Sequence, residues 1–291
     1  MALCLVFGAS GAIGRFLVPR LLSAGHDVVA ISRTPRTSAH PRLRWMTGEL
    51  PDCVPELPTG ASILSVGPLD RFTEWLAAGH TIGSARIVAV GSLSAVTKQD
   101  SADPAERALA ARLADAERRL FDAARSSGAS ATLLRPTLIY GAGMDRSLTP
   151  IVRFAHRWRV FPLVPGASGL RQPVHADDIA AACASALAAN ALPQAVYDLG
   201  GGERLAFAAM LERVRASLPF ATLALPLPMP LLRAAAGLAS RLPAFGAASA
   251  GAISRVREDL VAAADAAMRD LGWTPRAFAP RAEDWIPPPL S

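Results

Sequence analysis

One short segment restricts this chain more than any other: Gly8-Ala9-Ser10-Gly11-Ala12-Ile13-Gly14, between an apolar run at Leu3–Phe7 and a helical pattern at Ile13–Ala24. Glycines at this spacing permit a tight turn, a close approach of backbone to a pyrophosphate, and close packing of helix on strand. The free N–H groups and positive dipole end of the following helix then face the phosphates. The segment therefore predicts a dinucleotide cradle built from Gly8, Ser10, Gly11, Ala12, Ile13 and Gly14. The apolar run before it lacks a basic leader and a small-residue cleavage site, and reads as a buried strand rather than a signal peptide.

Further apolar runs continue the pattern at Asp27–Ile31, Leu43–Met46, Ser62–Val66, Arg86–Val90 and Ala131–Leu134. A long Ala/Arg/Leu helix is predicted over Ala105–Arg125, stopped near Gly128. Strands alternating with helices imply βαβ units and an α/β fold, a doubly wound parallel sheet with ligands at the carboxyl ends of its strands. Val66 and Gly67, at one such end, are expected to border the cofactor. Residues 1–165 are read as mainly the dinucleotide-binding core. Residues 166–291 complete that core over about 174–200 and form a smaller substrate-binding lobe. In this part Asp177–Asn190 and Glu203–Ser217 are predicted helices, Ala195–Leu199 a strand, and Asp259–Leu271 the last helix. Leu223–Pro230 reads as an extended link, and Leu231–Ala252 as an apolar helical region broken by Pro243. That 223–252 stretch suits the core of the lobe, with a lid, a dimer face or a membrane-surface patch as alternatives.

Composition excludes several classes. Apolar residues make up 51% of the 291 positions and charged residues 19%, the opposite of a disordered chain. No run of about twenty apolar residues is free of charge and proline, so no membrane span is expected and the protein is read as cytoplasmic. The net charge of +6 comes from scattered arginines without a Lys/Arg run, which suits a phosphate-bearing small molecule better than nucleic acid. Cys4, Cys53 and Cys183 are far apart in apolar surroundings and read as buried thiols, with no disulfide framework. No metal site is expected, His175, Asp177 and Asp178 included.

Cofactor choice is read from the end of the second strand. An NAD-selective site usually carries Asp or Glu there for the ribose 2′-OH. This chain has Ser32 and Arg33, with Arg36 nearby, a set that can meet a 2′-phosphate. NADP is therefore expected ahead of NAD.

Four more segments carry a likeness: Gly48-Glu49-Leu50, Leu134 to Gly141 (LRPTLIYG), Arg171 to Ala180 (RQPVHADDIA), and Leu271 to Arg276 (LGWTPR). With the glycine turn, they identify a chain that resembles the short-chain dehydrogenase/reductase superfamily, in its extended or atypical branch. Within it, the chain is similar to NAD-dependent epimerase/dehydratase proteins of the nucleotide-sugar type, over nearly its whole length. The resemblance implies that Glu49 contacts adenine and that Pro136 lies near the nicotinamide. It also implies that Arg171 and Arg257 serve substrate phosphates, and it makes a homodimer through the long helix an open possibility.

The family's chemistry uses a Tyr-x-x-x-Lys pair on one helical face, the ammonium lowering the tyrosine pKa for proton exchange. Neither of the two tyrosines, Tyr140 and Tyr197, has a lysine four residues on. Aligning Ala116-Glu117 with the family's Ala-Glu places Leu109 and Leu113 where that pair stands, on a face expected to pack. The family's serine falls on Ser92, Leu93 or Ser94, of which Ser92 is nearest the strand end. Tyr140 and His175 are the substitute proton carriers on offer, His175 because imidazole titrates near neutrality; Asp177 is expected to cap the following helix. Three functions follow: an NAD(P)-dependent oxidoreductase or epimerase acting on a nucleotide-sugar or related molecule; an NADP-binding sensor or structural subunit without turnover; and a reductase of a hydrophobic substrate.

Overall fold

The computed structural model describes residues 2–56, 58, 60–78, 86–189, 194–227 and 255–290. A seven-stranded parallel sheet forms its centre. The strands are β1 (Leu3–Phe7), β2 (Asp27–Ser32), β3 (Leu43–Thr47), β4 (Ser62–Ser65), β5 (Arg86–Val90), β6 (Ser130–Pro136) and β11 (Gln194–Leu199), in the order β11-β6-β5-β4-β1-β2-β3. The fold is the doubly wound α/β sheet expected from the alternation. Its order reverses between β1 and β4, and that switch point is where such sheets bind ligands.

The period of two along each strand sends alternate side chains to opposite layers. Cys4, Val6, Val28 and Ala30 join a core with α1 (Gly14–Ser23) and α6 (Ala176–Ala188). Leu5, Phe7, Val29 and Ile31 join the other core, with α2 (Leu69–Ala77) and α4 (Pro104–Ser127). Asp103 starts α4 by accepting the Ala105 N–H, and Gly128 ends it with φ +69°. A four-residue helix, α3 (Ser94–Thr97), lies between β5 and α4.

The third core gathers Tyr140, Val152, Phe161, Met210, Phe278 and Trp285. It joins α5 (Thr149–Trp158) to α7 (Phe207–Ala216) and to the C-terminal segment. Short paired strands frame it: β7 (Ile139–Tyr140) with β10 (Val174–His175), β9 (Leu170–Arg171) with β12 (Leu205–Ala206), and β8 (Val160–Leu163) with β13 (Leu223–Pro226).

Several boundaries differ from expectation. Leu223–Pro226 is a paired strand rather than a link, because its amides bond to β8. The helix expected from Glu203 starts at Phe207, since Leu205–Ala206 pair with β9 first. The last helix, α8, is only Asp265–Leu271; Leu260 bridges to Arg171 instead. Cys4 and Cys183 are buried, and burial pushes their thiols up to about 11 and about 12. Cys53 is exposed, contrary to expectation. The region expected to be helical over Leu231–Ala252 lies outside the described residues, as does Asn190.

Candidate functional site

The cradle is built where β1 ends. Gly8 has φ +78°, and a Cβ there would stand 2.7 Å from the Gly67 nitrogen. A Cβ on Gly14 would stand 2.3 Å from the Gly8 oxygen and 2.4 Å from the Ala9 oxygen. These approaches are backbone on backbone, so only glycine fits. The Gly11 N–H closes the turn on the Gly8 oxygen at 2.9 Å. The amides of Ala12 and Ile13, at the head of α1, find no acceptor among the described residues. Free donors at a helix N-terminus beside a glycine-only backbone fit a dinucleotide pyrophosphate. Val66 continues β4, its N–H bonded to the Phe7 oxygen, and Gly67 lies against Gly8. Both therefore border the turn.

Beyond β2 the site is basic. Ser32 is buried, and its Oγ accepts from Arg36 Nε at 3.0 Å and from the Thr34 N–H at 3.3 Å. Ser32 thus anchors Arg36, whose guanidinium lies over the Trp45 ring at 5.7 Å. Arg33 is 78% exposed and pairs loosely with Glu49 at 3.8 Å. Arg15, one residue past the turn, donates to the Ser10 oxygen at 3.1 Å and to Pro288 oxygen. Burial, and then the nearby Arg36 cation, lower its pKa. Arg15 had no part in the sequence argument; an arginine directly after the third glycine was the available signal.

The opposite wall is α4. Its inward stripe runs Glu106, Ala110, Leu113, Glu117, Leu120, Ala124, three or four residues apart. All of these are buried except Leu113, which is half-exposed, as is Leu109 one turn before it. Neither leucine belongs to a core cluster, contrary to the packing expected of them. The reason is position. Glu117 Oε1 lies 3.5 Å from where a Gly91 Cβ would be, just past the end of β5. Residues before it on α4 climb about 1.5 Å each, which carries Leu113 and Leu109 beyond the end of β5.

Buried charges secure this wall. Arg135 Nε donates to Glu117 Oε1 at 2.9 Å, which ties α4 to β6, and the bond raises the Arg135 pKa. Asp198 on β11 lies 3.9 Å from Arg135, and burial raises its pKa. Lys98 Nζ lies 2.9 Å from buried Glu106. Ser92 is half-buried; its Oγ accepts the Ser94 N–H at 3.2 Å and so turns the chain into α3. Pro136 is buried, and its oxygen accepts the Leu93 N–H.

The two proton carriers named from the sequence, Tyr140 and His175, are both buried. Tyr140 is buried, with ring contacts to His175 at 5.0 Å and Phe278 at 4.9 Å. Burial, then the Asp284 charge, push its pKa above the usual phenol range. Its ring packs in the third core, and its hydroxyl has no hydrogen-bond partner among the described residues. His175 is buried and uses both nitrogens. Nδ1 accepts the Asp177 N–H at 3.0 Å and caps α6; Nε2 then carries the proton and donates to Asp284 Oδ1 at 3.0 Å. The cap is thus His175 and not Asp177. Asp177 pairs instead with Arg20 at 2.6 Å and Arg276 at 2.7 Å. Gly141 makes room for the imidazole, since a Cβ there would lie 2.1 Å from Nε2.

On the substrate side, Arg171 is buried and donates to the Leu170 and Glu258 oxygens, with its guanidinium over Phe207 at 5.1 Å. Through these bonds it fastens the lobe. Arg257 is exposed. Among the described residues no cluster of His, Cys, Asp or Glu has the makings of a metal site.

Comparison with known proteins agrees with this geometry. The model of the NAD dependent epimerase/dehydratase family matches residues 4–55 and 79–200. The chain belongs to that family. A curated relative from Sinorhizobium fredii, the uncharacterized protein y4nG, is 28% identical over 225 residues, which cover 68% of this chain and 56% of that protein. The Arabidopsis thaliana mitochondrial NADH dehydrogenase [ubiquinone] 1 alpha subcomplex subunit 9 is 26% identical over 215 residues, covering 67% and 53%. The chain thus spans about half the length of the curated relatives it matches. Among solved structures, MoeE5 in complex with UDP-glucose and NAD superposes with TM-score 0.68 at 20% identity, covering 97% of this chain and 95% of that one. The UDP-glucuronic acid 4-epimerase of Bacillus cereus, in complex with UDP-glucuronic acid and NAD, gives 0.70 at 12% identity, covering 97% and 96%. Within the epimerase/dehydratase family, then, this chain carries the glycine turn Gly8–Gly14 at the end of β1, and neither of its tyrosines has a lysine four residues on.

Proposed function

We propose that this protein binds a nicotinamide dinucleotide, NADP in preference to NAD, and acts as a cytoplasmic dinucleotide-binding sensor or subunit without the family's proton chemistry. The observation that carries this reading is the α4 wall. Leu109 and Leu113 stand half-exposed where the resemblance would put tyrosine and lysine, while Tyr140 and His175 are buried. The membership in an NAD-dependent family supports the cofactor, and the name of the plant relative is that of a subunit of a larger complex. NADP is favoured by Arg15, Arg33 and Arg36 around the end of β2, where no acid stands at the ribose position. Gly8 to Gly14 would hold the pyrophosphate, and Arg33 and Arg36 the 2′-phosphate. When bound, the cofactor supplies hydride transfer; the residues of α4 offer no group to move the matching proton.

A second reading keeps turnover on a nucleotide-sugar or related phosphorylated molecule. It draws on exposed Arg257 and on the UDP-sugars held by the solved neighbours. Titration with NADPH and NADH, followed by absorbance at the reduced nicotinamide band and by chromatography of a nucleotide-sugar panel, separates the two. Tight NADPH binding without turnover is expected. Isomerised or oxidised sugar would establish the second reading. Arg33→Ala with Arg36→Ala should weaken NADPH about tenfold or more and leave NADH nearly unchanged, since each charge-assisted bond contributes about 1.5–3 kcal/mol. Equal loss for both cofactors would remove the NADP assignment.

A further inference from the structure

On the lobe's outer edge, α5 and the strand pair β8–β13 present large apolar side chains to solvent. Phe154 and Trp158 are four residues apart, hence on one face of α5, and Trp158 is 62% exposed. Leu223 and Leu225 are two apart, hence on one face of β13, and Leu223 is 69% exposed. The Leu223 N–H bonds to the Arg159 oxygen at 2.8 Å, which sets the two faces side by side. Exposed tryptophan and leucine so close together are unusual for a protein that meets only water.

Arginines stack on the aromatic rings here, while Glu212, beside Arg215, lines a shallow pocket with Phe220 and Thr222. The Arg157 guanidinium lies over the Trp158 ring at 5.3 Å, and Arg159 over Phe220 at 4.5 Å. Neither arginine pairs with a carboxylate among the described residues. The sequence carries the same bias onward: between Arg213 and Arg257 there is no Asp, Glu or Lys, and every charged residue is Arg. Arginine stacked on exposed tryptophan, beside leucine and with arginine outnumbering acid, is a composition that settles at a lipid headgroup layer. The apolar tips enter the acyl boundary while the cations meet anionic headgroups. A second copy of the chain would bring the same uncompensated arginines against themselves.

We propose that the α5–β13 edge, through Phe154, Trp158, Leu223, Leu225, Arg157 and Arg159, docks the protein onto an anionic phospholipid surface. The docking is peripheral: among the described residues no helix is long and apolar enough to cross a membrane.

The test is co-sedimentation of the full chain with phosphatidylcholine vesicles, with and without phosphatidylglycerol, at low and high salt. Binding is expected only with phosphatidylglycerol, falling as salt rises. Trp158→Ser and Arg157→Glu should each weaken it about tenfold or more. Both residues are solvent-facing, so NADPH affinity and melting temperature should hold, which distinguishes lost docking from lost folding. Tryptophan fluorescence should shift to the blue on anionic vesicles in the wild type and not in Trp158→Ser. Absence of binding to phosphatidylglycerol at low salt would overturn the proposal, and so would binding unaffected by both substitutions. A dimer in sedimentation velocity that Trp158→Ser dissociates, with no vesicle binding, would assign the edge to self-association instead.

Discussion

The two walls of the cleft are made of different materials. At the Gly8–Gly14 wall the decisive contacts are backbone on backbone, with 2.3 Å from a Gly14 Cβ to the Gly8 oxygen and 2.7 Å from a Gly8 Cβ to the Gly67 nitrogen. At the α4 wall they are side chain to side chain: Glu117 on Arg135 and Lys98 on Glu106, beside two half-exposed leucines. Backbone crowding admits one residue type, so it is visible as glycine in any sequence that uses it. A helix wall tolerates many residues, and its chemistry can be exchanged while the fold stays. On the reading proposed above, this chain has kept the first wall and rebuilt the second.

The sharpest way to break the contrast is at the first wall. Gly14→Ala should abolish dinucleotide binding and lower unfolding stability by about 3 kcal/mol, since overpacking against fixed backbone has nowhere to relax. Calorimetric titration with NADPH and a denaturant melt would show both. If Gly14→Ala binds as wild type does, the backbone account of this wall fails.

The next effect tests what the reaction end does instead of chemistry. Asp284 joins the C-terminal 3-10 turn, Ala282–Trp285, to His175. Burial alone would raise its pKa, but the bonds from His175 and the Arg281 amide outweigh burial and hold it below the usual carboxylate range. A depressed carboxylate contributes stability above its unfolded value, about 3.9, and loses it as pH falls through the lower folded value. Asp284→Asn should therefore cost about 1.5–3 kcal/mol at neutral pH and progressively less below about pH 4. Parallel melting curves for the two proteins across that range would mean that the carboxylate contributes no charge-dependent stability.

How much of this was legible beforehand differs between the walls for the same reason. The doubly wound parallel sheet and the turn followed from alternation and from three glycines at fixed spacing, while the strand order came from the structure. The site's other members depend on where side chains point, and sequence pattern is poor at that. Arg171 and Arg257 look alike as letters, yet one is buried on the Glu258 oxygen and the other is exposed. Asp177 has the chemistry of a cap, but His175 precedes it and reaches the amide first. Asp284 lies 109 residues from His175, and nothing local announces the pair. Leu113 followed the helical stripe correctly; what the stripe cannot tell is that this leucine stays half-exposed while its stripe neighbours are buried.

That point about Leu113 yields a smaller effect. Restoring the family's pair as Leu109→Tyr with Leu113→Lys should change stability by less than about 1 kcal/mol, because both sites are half-exposed. Lysine placed in a packed core would cost several kcal/mol. A melt of the double variant decides between an open wall and a packed one. With NADPH bound, it is also the variant in which the family's proton exchange should first become measurable.

The smallest expected effect concerns Tyr140. Its hydroxyl has no hydrogen-bond partner among the described residues, and its ring packs edge-on against His175 and Phe278. Tyr140→Phe keeps the ring and removes only the oxygen, so stability should change by less than about 1 kcal/mol, with NADPH affinity unchanged. Tyr140→Ala removes the packing and should cost about 3–5 kcal/mol. If the protein turns over a substrate and Tyr140→Phe stops it while folding and cofactor binding persist, the phenol is a proton donor after all. The chemistry would then lie on β7, at the edge of the third core, and the α4 wall would be only its boundary.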